Sequence, residues 1–156
     1  ISYSIVEAKI YTTRHGYALD SFQILDPNNK TPQYRDLIGY VEYELGLRLA
    51  NQTPLEPLTE GRLSRQLKHF PITPEVSIEA DERGQYKVLN IIAGDRPGLL
   101  SRLARCLVAY QIDLYTAKIN TLGDRAEDVF LISGAALADP KKVVRLESDL
   151  VRVLQT

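Results

Sequence analysis

The sequence predicts an α+β fold in which antiparallel sheets carry their helices on one face. Three observations lead there. A strand–turn–strand–helix pattern occurs twice, a further strand–helix unit precedes its second copy, and each helix carries a single apolar stripe.

The two copies are Ser4–Leu25 ("SIVEAKIYTTRHGYALDSFQIL") and Asp113–Ser133 ("DLYTAKINTLGDRAEDVFLIS"). Both contain Ala-Lys-Ile, at Ala8–Ile10 and Ala117–Ile119, then a polar turn with Gly16 or Gly123, then Asp-x-Phe at Asp20–Phe22 and Asp128–Phe130. β-branched and aromatic residues favour strands, and glycine supplies the turn, so each copy reads as a hairpin. Ile5 lies on a different alternation phase from Ala8 and Ile10, as Ile112 and Leu114 do from Ala117 and Ile119. A phase change inside a strand predicts a bulge or a bend.

A helix follows each hairpin. In "TPQYRDLIGYVEYELGLRLA" Thr31 can cap and Pro32 takes the first helical position. Leu37, Val41 and Leu45, with Tyr34 and Ile38, form its stripe. In "DPKKVVRLESDLVRVLQT" Asp139 and Pro140 repeat the start, and Val143, Leu146, Leu150 and Leu154 form the stripe. Asn51–Phe70, with Pro54, Pro57 and Gly61 and no sustained period, reads as a linker.

The second half then reads strand Glu75–Ala80, strand Tyr86–Ile92, helix Gly98–Tyr110, strand Ile112–Thr121, strand Glu127–Ser133 and helix Pro140–Leu154. From its second strand this is β-α-β-β-α. A ferredoxin-like split unit needs one more strand beside the first, and Glu75–Ala80 is expected to take that edge. The first half has only strand, strand and helix, so it must borrow cover from the other half or from a second chain. The expected division is a partial repeat over 1–52, a linker over 53–72 and a nearly complete module over 73–156.

Composition narrows the function. With 19 basic and 20 acidic residues the formal charge is −1, so no field exists to draw nucleic acid or an anionic membrane. A single cysteine excludes an internal disulfide and fits a reducing compartment. No signal peptide is visible at "ISYSIVEAKI" and no apolar run is long enough to span a bilayer, so the expectation is a soluble, cytoplasmic protein. The chain contains no Met, which points to a piece of a longer polypeptide.

The segment that invites a ligand is "NIIAGDRPGLLSRLARCLVAY" (90–110). Pro97 near a helix start gives up an N–H with no intrahelical partner, and Asp95 reads as an N-cap. Gly98 costs a helix about 1 kcal/mol against Ala. Either the helix packs too closely on the sheet for a Cβ, or a ligand approaches N–H groups and a helix dipole suited to a carboxylate. Spacing alone leaves both open.

"AGDRPGLLSRLARCLVAYQIDLYTAKINTL" resembles an ACT domain, the small βαββαβ ligand-sensing module, with Asp95-Arg96-Pro97-Gly98-Leu99 in the loop between its first strand and first helix. "AKINTLGDRAEDVF" together with "AKIYTTRHGYALDSF" is similar to the paired C-terminal ACT repeats of the bacterial PII uridylyltransferase/uridylyl-removing enzyme family, as is "LKHFPITPEVSI" to the segment joining them. The resemblance implies ferredoxin-like ACT modules, one partial and one nearly complete. It also implies a glutamine-sensing regulatory region that controls uridylylation and deuridylylation of the PII signal protein and has no catalysis of its own. Implied partners are a small amino acid, the catalytic domains of the same longer chain, and a second copy in a homodimer; no cofactor, metal, nucleic acid or membrane is implied.

The ligand positions it implies are Asp95, Arg96, Gly98 and Leu99 at the helix mouth, and Ile112, Asp113 and Leu114 where the next strand begins. Backbone N–H groups around Gly98 and Leu99 would take the ligand carboxylate, and Asp95 or Asp113 its ammonium group. For each aspartate a cap or turn role is an equal alternative. Two further readings stay open: an ACT pair from another amino-acid-responsive regulator, and a dimerisation or docking module that binds no metabolite. His15, His69, Cys106, the linker bases Arg62, Arg65 and Lys68, and Tyr34, Tyr40 and Tyr43 all have ordinary structural explanations.

Overall fold

A computed structural model describes residues 4–25, 34–52 and 71–155. Its strands are β1 (Ser4–Thr12), β2 (Ala18–Leu25), β3 (Glu75–Ala80), β4 (Lys87–Gly94), β5 (Asp113–Leu122) and β6 (Arg125–Ser133). Its helices are α1 (Tyr34–Ala50), α2 (Leu99–Ala109) and α3 (Pro140–Gln155), with a short 3-10 turn over Ala135–Ala138 before α3. The fold is α+β, as the sequence predicts. The strands form one sheet in the order β2-β1-β5-β6-β4-β3, every neighbouring pair antiparallel. β3 lies on the outer edge beside β4.

The repeat explains how the two halves join. Ala8, Lys9 and Ile10 pair with Ile119, Lys118 and Ala117, so the shared tripeptide pairs with its own counterpart about a local two-fold at Lys9 and Lys118. The finer details obey the same symmetry. The Thr12 hydroxyl donates to the Leu114 carbonyl at 3.4 Å, and its counterpart Thr121 donates to the Ile5 carbonyl at 3.3 Å. Bulges interrupt β1 between Ile5 and Glu7 and β5 between Leu114 and Thr116, where the change of alternation phase falls. Lys9 and Lys118 stand opposite each other, an unfavourable cross-strand pair. Glu7, bridged to Lys9 at 2.9 Å, offsets part of that repulsion.

The core lies under the second repeat. Leu99, Leu103 and Leu107 of α2 and Leu146, Leu150 and Leu154 of α3 bury their stripes against Leu89, Ile91 and Ala93 of β4 and Ala126, Phe130 and Ile132 of β6. Each Leu, Ile or Phe side chain among these gains roughly 1.5–3 kcal/mol by leaving water. Asp139 starts α3 as expected: its carboxylate accepts the Lys141 N–H at 2.9 Å and its carbonyl accepts the Val143 N–H at 3.0 Å. The expected cap at Thr31 and Pro32 and the linker 53–70 lie outside the described residues.

α2 departs from expectation at its start. Its N-cap is Gly98, not Asp95, and no side chain caps it. Gly98 has φ +80°, the left-handed region in which a Cβ is strained. Backbone geometry therefore accounts for the glycine without invoking close packing or a ligand.

The first repeat is left open. Phe22 is 51% exposed, whereas its counterpart Phe130 is 3% exposed. Ile38, Val41 and Leu45 of α1 are exposed as well. No described element covers them.

Candidate functional site

The site at the mouth of α2 is built by three chain segments. β4 ends at Gly94, paired with Arg125 at the start of β6. The two-residue turn Gly123-Asp124 brings the Asp124 carbonyl to the Asp95 N–H at 2.8 Å. The chain then turns through Arg96, whose carbonyl accepts the Leu99 N–H at 3.1 Å, and α2 begins with Arg102 N–H bonded to Gly98 O at 3.0 Å. The N–H groups of Leu100 and Ser101 precede that first intrahelical bond, so they and the helix dipole face outward toward any anion.

Carboxylates surround this mouth. Burial, and then the charge of Asp124, push the Asp95 carboxyl above its ordinary range. Beneath it lies Asp128 of β6, 2% exposed, opposite Ile91 of β4. One Asp128 oxygen accepts the Asn120 N–H at 3.2 Å. Burial raises this carboxyl to about 6; the Asn120 bond opposes the shift and Asp95 adds to it. Asp128 is a group that sequence reasoning passed over. Its position in the inward-facing run Ala126, Asp128, Phe130, Ile132 was the available signal, because alternation places it on the buried face.

The structure separates the seven ligand positions into two groups. Asp95, Arg96, Gly98 and Leu99 lie together at the Gly94 end of β4. Ile112, Asp113 and Leu114 lie at the opposite end of the sheet, where Asp113 pairs with Ser133. Arg125 and Ser133 are eight residue steps apart along β6, roughly 25 Å at strand rise. Asp113 is exposed there, and Ile112 is buried in the core with its N–H on the Leu107 carbonyl at 3.0 Å. One small ligand cannot touch both groups within this chain.

The local two-fold explains the separation. Ile5 is the counterpart of Leu114, and Thr121 ties its carbonyl to the end of β5. The beginning of β1 therefore sits at the same end of the sheet as the Asp95 loop. The beginning of β5 instead lies at the opposite end of the sheet, where Thr12 at the end of β1 bonds the Leu114 carbonyl.

The remaining candidates are unremarkable in place. His15 is exposed on the β1–β2 turn. Cys106 is half-buried, and burial raises its thiol above the ordinary range, which makes it a poor nucleophile. Tyr40 and Tyr43 are exposed on α1. His69, Arg62, Arg65 and Lys68 lie outside the described residues. Among the described residues no three His, Cys, Asp or Glu side chains are placed to hold a metal, and no helix is long and apolar enough to cross a membrane.

Comparison with known proteins shows what this chain is similar to. The chain is 52% identical over 154 residues to the bifunctional uridylyltransferase/uridylyl-removing enzyme of Chromobacterium violaceum. By sequence, this chain matches a region of that enzyme. The alignment covers 99% of the chain and 18% of the relative. The enzyme of the same description from Nitrosospira multiformis is 51% identical over 156 residues, and that from Cupriavidus pinatubonensis 50% over 157. The chain thus spans about a fifth of the length of these uridylyltransferases. No protein-family model and no solved structure matches it.

Replacing Gly98 with Ala is expected to cost about 1–2 kcal/mol, the strain of a Cβ at left-handed φ. Urea unfolding of the variant checks this; an unchanged midpoint would mean that the loop readily adopts another conformation.

Proposed function

We propose that this chain is the glutamine-sensing part of a uridylyltransferase/uridylyl-removing enzyme, regulating modification of the PII nitrogen signal protein without catalysing it. The observation that carries the reading is the loop at Asp95–Leu99, set beside the beginning of the other repeat's first strand in a chain half-identical to these enzymes. A free amino acid presents a carboxylate and an ammonium group together. The first-turn N–H groups of α2 suit the carboxylate. Asp95, whose carboxyl resists ionisation beside Asp124 and above Asp128, suits the ammonium, since a cation there offsets both burial and like-charge repulsion.

In this reading the ligand bridges two repeats. Occupancy then shifts the chain between arrangements of those repeats by no more than the ligand's differential affinity for each. The end at Ile112–Leu114 would form the symmetry-related site once a loop from the first repeat faces it. A second reading, an assembly module that binds no metabolite and joins a homodimer, is favoured by the uncovered Phe22 and α1 stripe.

Calorimetric titration with glutamine, with glutamate and glycine as comparisons, separates the two. Saturable binding selective for glutamine, lost in Asp95→Asn, is the expected result. Heat signals that depend on protein concentration and ignore glutamine would instead support assembly alone.

A further inference from the structure

We infer that the groove between α2 and α3 is a docking site for an acidic, amphipathic helical segment of a protein. It runs from the first turn of α2 to the start of α3 and consists of two adjoining clefts of about 570 and 360 Å³. Ala109, Tyr110 and Asp149 line both, so they form one continuous open groove.

Its charge is out of proportion to the chain. Arg102, Arg105, Arg152, Lys142 and Arg145 line it against the single carboxylate of Asp149, while the whole sequence carries a net −1. That carboxylate is already engaged, accepting the Tyr110 hydroxyl at 2.5 Å and an Arg152 N–H at 2.9 Å. Next to the Arg102 end, Arg96 donates to the Gln155 carbonyl at the end of α3, at 3.0 Å. Even so, Arg96 Nε and Arg102 Nη1 are both buried without an acceptor. Two neighbouring guanidinium groups with unmet buried donors are costly to maintain.

The floor distinguishes among anions. Cys106, Ala109, Ala136 and Val153 supply apolar surface between the charged walls. A nucleic-acid strand places a negative charge at every nucleotide and would bring one over Asp149. A peptide can set carboxylates at both ends and small apolar residues over the middle. From Lys142 to Arg152 the groove runs about 15 Å along α3, which matches about three turns of a docked helix with acidic residues at each end.

The test uses a fluorescent 14-residue helical peptide with paired Glu at both ends and Ala and Leu between, titrated into the 156-residue chain at low and at moderate salt. The expected result is saturable binding that weakens as salt rises. It should fall at least tenfold in Arg102→Gln and severalfold in Lys142→Gln, an exposed position where folding is not at risk. Arg14→Gln on the β1–β2 turn removes the same charge elsewhere and should leave binding unchanged. Equal binding by the peptide with Gln in place of Glu would overturn the inference. So would tighter binding of inorganic tripolyphosphate or of a 14-base-pair DNA duplex, or Lys142→Gln binding like the unaltered chain.

Discussion

Asp128→Asn is expected to stabilise this chain by about 3 kcal/mol near neutral pH, an unusual direction for a substitution in a core. The buried carboxyl is raised from 3.8 to about 6, and each unit corresponds to about 1.4 kcal/mol. The sign follows from proton binding. Between the two values the folded chain holds a proton that the unfolded chain has released, so stability falls as pH rises. The penalty is absent below about pH 4, grows up to about pH 6 and is constant above it. Asparagine keeps an oxygen for the Asn120 N–H and carries no charge, so the variant should lose this slope. Urea unfolding at a series of pH values from 4 to 8 measures both curves. A flat profile in the unaltered chain would show that Asp128 is charged and well solvated in the fold. If the proposed amino-acid site uses this acidic floor, the stabilised variant should also bind glutamine more weakly, a trade of stability for function.

The second large effect contrasts the two repeats. Leu150, on the buried face of α3, is 0% exposed, whereas Leu45, in the stripe of α1, is 55% exposed. Leu150→Ala is expected to cost about 3–5 kcal/mol, the lost transfer of the side chain plus the cavity left behind. Leu45→Ala should change stability by no more than about 0.5 kcal/mol. Chemical denaturation of both variants checks the pair. A large loss at Leu45 would show that α1 is covered in solution, by its own sheet or by a second copy, and dilution of the sample would then tell which.

Much of the fold was legible in the sequence because period and punctuation encode it. Val143, Leu146, Leu150 and Leu154 recur at helical spacing, and the last three are buried as their spacing requires. The phase change between Ile5 and Ala8 located a bulge that the strand pairing contains. The site was less legible. Asp95 has the residue type of an N-cap, yet the chain turns through Gly98 and leaves Asp95 bonded to the β5–β6 turn. Residue type does not reveal that choice, because it depends on where Asp124 lies. The seven ligand positions formed one set in sequence and two in space, because strand direction places the two ends of β5 at opposite edges of the molecule.

What the sequence determined by itself is local: which stretches are strands and helices, where strands change phase, and that one hairpin occurs twice. Those properties depend on residues only a few positions apart. What only the tertiary structure decided is how the copies meet and what each residue then experiences. The two Ala-Lys-Ile segments pair with each other about Lys9 and Lys118, and two hairpins of one pattern acquire different surroundings. Phe22 and Phe130 each stand two residues after an Asp and two before an Ile, but only Phe130 lies in the core cluster with α2 and α3. Asp20 and Asp128 divide likewise, one on an exposed strand and the other held at a raised pKa beneath the helices. Burial is a property of the assembled layers, and no single copy of a repeat carries it.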